Sequence, residues 1–186
     1  MESTKKITMV AMCVAFCCIS AYITFPLPFT PGMVTAVTLA FGVTAFVLPP
    51  KETALAICLY LALGAIGIPV LPGGTAGLGR ILGPTGGFYL AWPVAYYLVS
   101  LLKGRDISFK RYSLVGIIVG VPLLYAGGLA SMMLMMDIDL QAGLMMAVLP
   151  FIPGDIMKSL GAAFLGVKVN KMLAKQGGYT VSVNRN

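Results

Sequence analysis

Three ionisable side chains stand where an apolar chain has least use for them. Asp155 and Lys158 follow the segment PFIPGD at a spacing of three, so on a helix they share one face and can reach each other. Arg80 sits alone inside the glycine-crowded stretch GGTAGLGRILGPTGG, residues 73–87. An acid, an amine and a guanidinium turned into one cavity would suit a ligand with N–H donors, a carbonyl acceptor and an anionic end. Plainer readings stand beside this one. Asp155 could cap a helix N-terminus, where an anion is favoured, with Lys158 as its ion partner. The glycine stretch could be a solvated linker. Against the first, a cap needs no lysine one turn deeper, where snorkelling to the surface is harder. Against the second stand Leu78, Ile81 and Leu82, apolar anchors that a linker does not need. The segment GLGRILG is no nucleotide fingerprint either, since its spacing is GxGxxxG and no GK[ST] follows.

The composition decides what kind of elements hold these residues. The 186 residues are 59% hydrophobic and 10% charged, with a mean hydropathy of +0.93. Soluble domains carry about 25% charged residues, so the chain cannot coat itself against water. An all-α integral membrane protein is expected, as one domain over residues 1–186. Apolar runs broken at charges and Pro/Gly clusters predict six transmembrane helices, over about 7–25, 33–48, 53–68, 87–102, 112–136 and 153–173. A polar tail follows over 175–186. The basic start and first apolar run also resemble a signal peptide, but the run is long and CCISAYI offers no good cleavage site, so a retained helix is expected.

Orientation follows from the basic residues. With the N-terminus inside, eleven of the thirteen fall in inner segments: Lys5, Lys6, Lys51, Lys103, Arg105, Lys110, Arg111, Lys168, Lys171, Lys175 and Arg185. The outer segments hold Arg80 alone, and Lys158 falls within the sixth span. N-in and C-in is therefore expected, in a multi-pass protein of the cell membrane, with structured outer loops after helices 1 and 3. The net charge of +7 reports this topology and contact with lipid, not nucleic acid. In that frame Asp155, Lys158 and the Arg80 loop all lie toward the outer side. A charge inside a span costs about 2.5–3.5 kcal/mol on insertion scales, so such residues usually face a cavity or a partner.

Tyr89, Trp92 and Tyr96 recur on one helical face, as an interfacial aromatic belt or as rings for a flat ligand. The four cysteines lie in apolar runs and there is no histidine, so no metal site or cofactor is expected. Asp137 and Asp139, the one close acidic pair, have no third ligand, which argues against an enzyme acting on lipid-linked substrates. Ala11 and Ala15, four apart on the first helix, would let another helix approach closely.

The stretches LYLALGAIGIPVLPGGTAGLGRILGPTGGFYLAWPVA and LPFIPGDIMKSLGAAFLG, in that order, closely resemble the BioY family over about residues 4–173. Those proteins are the biotin-specific S-components of energy-coupling-factor (ECF) transporters. The resemblance implies a six-helix membrane bundle and an outward pocket that captures biotin for uptake. Asp155 and Lys158 would meet the ureido group, Arg80 the valerate carboxylate, and Tyr89, Trp92 and Thr35 would complete the site. It also implies that Ala11 and Ala15 dock a shared transmembrane coupling subunit, which works with two ATPases. One departure lies at MVTAVT, where the family pattern is close to PITLQT and Val37 replaces a glutamine. The same fold carrying riboflavin or thiamine is the alternative, and a lysine beside the acid argues against thiamine.

Overall fold

The computed structural model describes residues 2–175; residues 176–186 of the expected polar tail lie outside the described residues. Among the described residues the chain is helical apart from one small hairpin. The helices are α1 (Glu2–Ser20), α2 (Val37–Val47), α3 (Pro50–Ala65), the single turn α4 (Leu78–Ile81), α5 (Gly86–Leu102), α6 (Phe109–Val115), α7 (Val121–Met136), α8 (Leu140–Ala147) and α9 (Ile152–Lys175). A π-helical turn, Gly116–Gly120, joins α6 to α7. Together they make one rod, Phe109–Met136, long and apolar enough to cross a membrane, with 28 residues and a mean hydropathy of 2.0. The pair α8 and α9 passes the same test only jointly, bent by 46° at the break.

The helix limits differ from the expected spans in three instructive places. The first helix stops at Ser20 rather than near Phe25. Prolines 26, 28 and 31 cannot continue a helix, and β-branched and aromatic residues around them suit a strand. Strand β1 (Thr24–Pro26) accordingly pairs antiparallel with β2 (Met33–Thr35), in the register Thr24↔Thr35. The front of the expected second span is therefore strand, and α2 has only 11 residues. The third helix starts and ends three residues early. Pro50 is tolerated at its first position, and Gly67, at φ +103°, turns the chain away after its end.

Helix α2 is the centre of the bundle, with α1, α5 and α9 around it and α3 and α7 packed on α5. Its C-terminal carbonyls pose a problem that the sequence makes worse. The last four carbonyls of a helix have no intrahelical donor, and the residues that follow, Pro49 and Pro50, have no N–H. Lys103 solves it. Its ammonium is fully buried and donates to the carbonyls of Ala45 (2.8 Å), Phe46 (3.1 Å) and Leu48. Asn170 of α9 donates to Phe46 as well, and Ser100 of α5 to Leu48. Lys103 was expected among the solvated inner charges; it is instead an internal cap.

Helices α5 and α7 meet closely through glycine. A Cβ on Gly87 would run into the carbonyl oxygen of Gly127, which is backbone and cannot step aside. Ser131 Oγ reinforces the contact, accepting from Gly87 N at 2.9 Å and lying 2.8 Å from the Pro84 carbonyl. Gly87→Ala must therefore push the helices apart. Overpacking of this kind costs about 1–3 kcal/mol. The melting midpoint of the detergent-purified variant, followed by intrinsic fluorescence, is expected to fall by roughly 3–10 °C.

Candidate functional site

One cavity lies between the hairpin, the glycine loop, α5, α7 and α9. Thr35, Arg80, Tyr89, Trp92, Asp155 and Lys158 all line it, together with Met33, Thr38, Thr85, Phe88, Leu124, Tyr125 and Phe151. All six residues expected at a ligand thus share one wall system, although they come from four separate stretches of chain.

The acid and the amine occupy the first turns of α9. Phe151 precedes them, its ring against Gly32 of the hairpin, and Asp155 N bonds back to the Phe151 carbonyl to start the helix. Asp155 and Lys158 form an ion pair with side chains only 12% and 17% exposed. Lys158 Nζ also donates to the Thr35 carbonyl at 3.3 Å, which fastens α9 to strand β2. The other carboxylate oxygen, Asp155 Oδ2, accepts from the hydroxyl of Tyr125 at 2.7 Å. An ammonium has three donors. One is taken by Asp155 and one by Thr35, so one N–H is left for the cavity.

Arg80 reaches the same cavity from the glycine loop. The glycine loop that carries it is not a free linker. Gly73 N donates to the Ala21 carbonyl at 3.0 Å and Tyr22 Oη to the Pro69 carbonyl at 2.8 Å, so the loop is tied to the C-terminal end of α1. Of the three expected apolar anchors only Ile81 is buried, while Leu78 and Leu82 are exposed; Leu71, wholly buried, anchors the start of the loop instead. Gly73, Gly74 and Gly77 all have positive φ, which a Cβ would disfavour. Arg80 makes one weak contact, Nη2 to Met33 Sδ at 3.6 Å, and its Nε is buried without a partner. A half-buried guanidinium with an unpartnered Nε is a ready receptor for an anion.

The floor is aromatic. Trp92 and Tyr89 are nearly fully buried and lie edge to face, with ring centroids 4.6 Å apart. Phe41 of α2 meets Trp92 at 5.0 Å and Tyr60 of α3 lies at 6.2 Å. Between belt and pocket, Trp92 is a pocket residue. Tyr96 sits deeper, donating to the Thr38 carbonyl at 2.9 Å. Val37, which replaces the expected glutamine, is fully buried and is not a wall residue. Far from the cavity, Ala11 and Ala15 are exposed on α1, while Val10 and Val14 pack inward.

Sequence reasoning missed Tyr125, Phe41, Tyr60 and Lys103. A tyrosine inside VPLLYAGGLA has no polar neighbour to betray its direction. The PP pair after α2 was a usable signal for Lys103, because it announces carbonyls that need a donor from elsewhere.

A family model described as the BioY family matches residues 1–175. The probable biotin transporter BioY of Bacillus subtilis (strain 168) is 35% identical over 150 residues, 80% of each chain. The biotin transporter BioY2 of Lactococcus lactis subsp. cremoris (strain MG1363) is 35% identical over 182 residues, 96% of this chain and 98% of that one. Among solved structures, the crystal structure of the S-component for biotin from an ECF-type ABC transporter superposes with a TM-score of 0.86. It is 28% identical and the match covers 98% of this chain and 97% of that one.

Proposed function

The chain belongs to the BioY family, and from that premise we propose that it is the biotin-binding S-component of an ECF-type importer. As a family member it is a transport component and not an enzyme. One observation carries the ligand assignment: the Asp155–Lys158 pair faces the same cavity as an arginine whose Nε has no partner.

Biotin matches those groups end to end. Its ureido ring offers an N–H donor to a free lone pair of Asp155 and the adjacent carbonyl to the remaining N–H of Lys158. The bicycle lies on Trp92 and Tyr89, with Thr35 beside it. The valerate carboxylate pairs with Arg80. Apolar walls with a few convergent polar groups are the usual build of such a pocket, and the water they exclude strengthens each charge-assisted bond.

In the membrane the chain crosses six times, through α1, α2 with its extended lead-in, α3, α5, the α6–α7 rod and the bent pair α8–α9. Both ends lie inside, the protein is a single-domain, multi-pass component of the cell membrane in contact with lipid, and the cavity opens outward. The positive-inside distribution supports that orientation. Ala11 and Ala15 give α1 a small-residue face on which the transmembrane coupling subunit docks. That subunit and two ATPases drive inward release.

Equilibrium binding to the detergent-purified chain tests the reading. Biotin is expected to bind tightly, and a folded chain that ignores it sinks the assignment. Arg80→Gln separates the two ends of the ligand. Its affinity for biotin is expected to drop about 10-fold or more, the worth of a hydrogen bond to a charged group. Biotin methyl ester, which has no carboxylate to lose, should bind both proteins alike. Equal losses for acid and ester would remove Arg80 from the carboxylate role.

A further inference from the structure

Asp155 is held at both oxygens, and the second holder does not belong to the PGDxxK segment. Lys158 pairs with Oδ1, while Tyr125 Oη donates to Oδ2 at 2.7 Å from a different helix, α7. The two contacts differ in kind. Lys158 is a long flexible side chain shared with the Thr35 carbonyl. Tyr125 has two torsions, is half-buried, and carries a single donor with this one recipient among the described residues. A rigid ring therefore sets the plane of the carboxylate, and the ammonium supplies its counter-charge.

We propose that Tyr125 is a positioning residue for ligand recognition, fixing the Asp155 carboxylate so that a free lone pair faces a ureido N–H of the ligand. The proposal rests on the biotin reading. A carboxylate has about four acceptor sites. With one on each oxygen occupied by protein, each oxygen keeps an acceptor site, and a carboxylate held in one plane can meet a ureido N–H while the neighbouring ureido carbonyl meets Lys158. Without Tyr125 the carboxylate is tethered only through Lys158 and turns about its own Cβ–Cγ bond, so the ligand must arrest that rotation when it binds. A neutral phenol orients the carboxylate without cancelling its charge, which a second cation would do.

Biotin dissociation constants for four proteins decide it: wild type, Tyr125→Phe, Asp155→Asn, and the double variant. Phenylalanine keeps the ring and removes only the donor, and the apo melting midpoint reports whether the fold survives. In the wild-type background Tyr125→Phe is expected to weaken biotin binding about 10-fold, the scale of one hydrogen bond to a charged acceptor. In the Asp155→Asn background the same change is expected to cost less than about 3-fold, because there is no carboxylate left to orient. An equal loss in both backgrounds would make Tyr125 a packing residue or a direct ligand contact and overturn the proposal, as would no loss in the first. Failure of the wild type itself to bind biotin would instead overturn the functional reading, and this inference with it.

Discussion

Asp155→Asn is expected to weaken biotin binding by roughly 10²–10³-fold while the protein still folds. The substitution is nearly isosteric but changes three interactions at once. Asp155 Oδ1 and Oδ2 take donors from Lys158 and Tyr125 and leave lone pairs toward the cavity. An asparagine has one oxygen and one NH₂ group. Turned one way its NH₂ meets the Lys158 ammonium, donor against donor; turned the other it meets the Tyr125 hydroxyl, which must then accept rather than donate. The remaining bond to the ligand loses its charge assistance, worth about 1.5–3 kcal/mol. Lys158, no longer neutralised, becomes an unpaired ammonium in a half-buried site. Together these amount to about 3–4 kcal/mol, which converts at 1.4 kcal/mol per decade to the stated loss. Isothermal titration on the purified variant measures it. A change smaller than fivefold would mean that Asp155 merely caps α9.

Lys103→Met is the substitution expected to harm stability most, and it lies far from the ligand. Methionine fills much of the same volume, so the effect isolates the ammonium. Three carbonyls lose a donor. Phe46 keeps Asn170 and Leu48 keeps Ser100. Ala45 is the exposed account, since the residue that would return an N–H in a continued helix is Pro49. An orphaned buried acceptor costs about 1–3 kcal/mol, and charge-assisted bonds are lost besides. A destabilisation of about 2–4 kcal/mol follows, seen as a large drop in melting midpoint and a poor yield from the membrane. Biotin affinity of the surviving folded fraction should be unchanged, because Lys103 touches nothing in the cavity. A variant as stable as wild type would show that bound water serves these carbonyls equally well.

The contrast between these two residues explains what could be read in advance. In a chain with 10% charged residues, each charge inside an apolar run is conspicuous. Asp155, Lys158 and Arg80 could be singled out for that reason, and they line one cavity. Lys103 was hidden because it follows a span and precedes GRD, where a solvated loop is the natural expectation. Direction was the harder quantity. In soluble helices a polar face marks the outside, but α2 and α7 are apolar all round, so nothing in the spacing says which way Phe41 or Tyr125 points. Element type was ambiguous for a related reason. Ile23, Thr24 and Phe25 serve a membrane helix or a strand equally well, and the choice fell to the three prolines that follow. Of the apolar residues that argued for a structured glycine loop, only Ile81 is an anchor, since Leu78 and Leu82 are exposed. The loop's attachment to Ala21 and Tyr22, by contrast, depends on a turn at the end of α1 that the apolar run conceals.

The cavity is also assembled in a particular chronology. Its walls come from residues 31–38, 72–92, 124–125 and 151–158, so a ribosome makes the arginine long before the acid. The hairpin is then fastened by late partners: Thr30 Oγ1 donates to the Met146 carbonyl, and Lys158 to that of Thr35, across 116 and 123 positions. Until α9 enters the membrane, the growing polypeptide has a guanidinium on one side and nothing opposite it. A ligand stabilises only states that bind it. Biotin can therefore lock the finished molecule, but it cannot template the intermediates that lead there, and an early-truncated chain gains nothing from the vitamin being present.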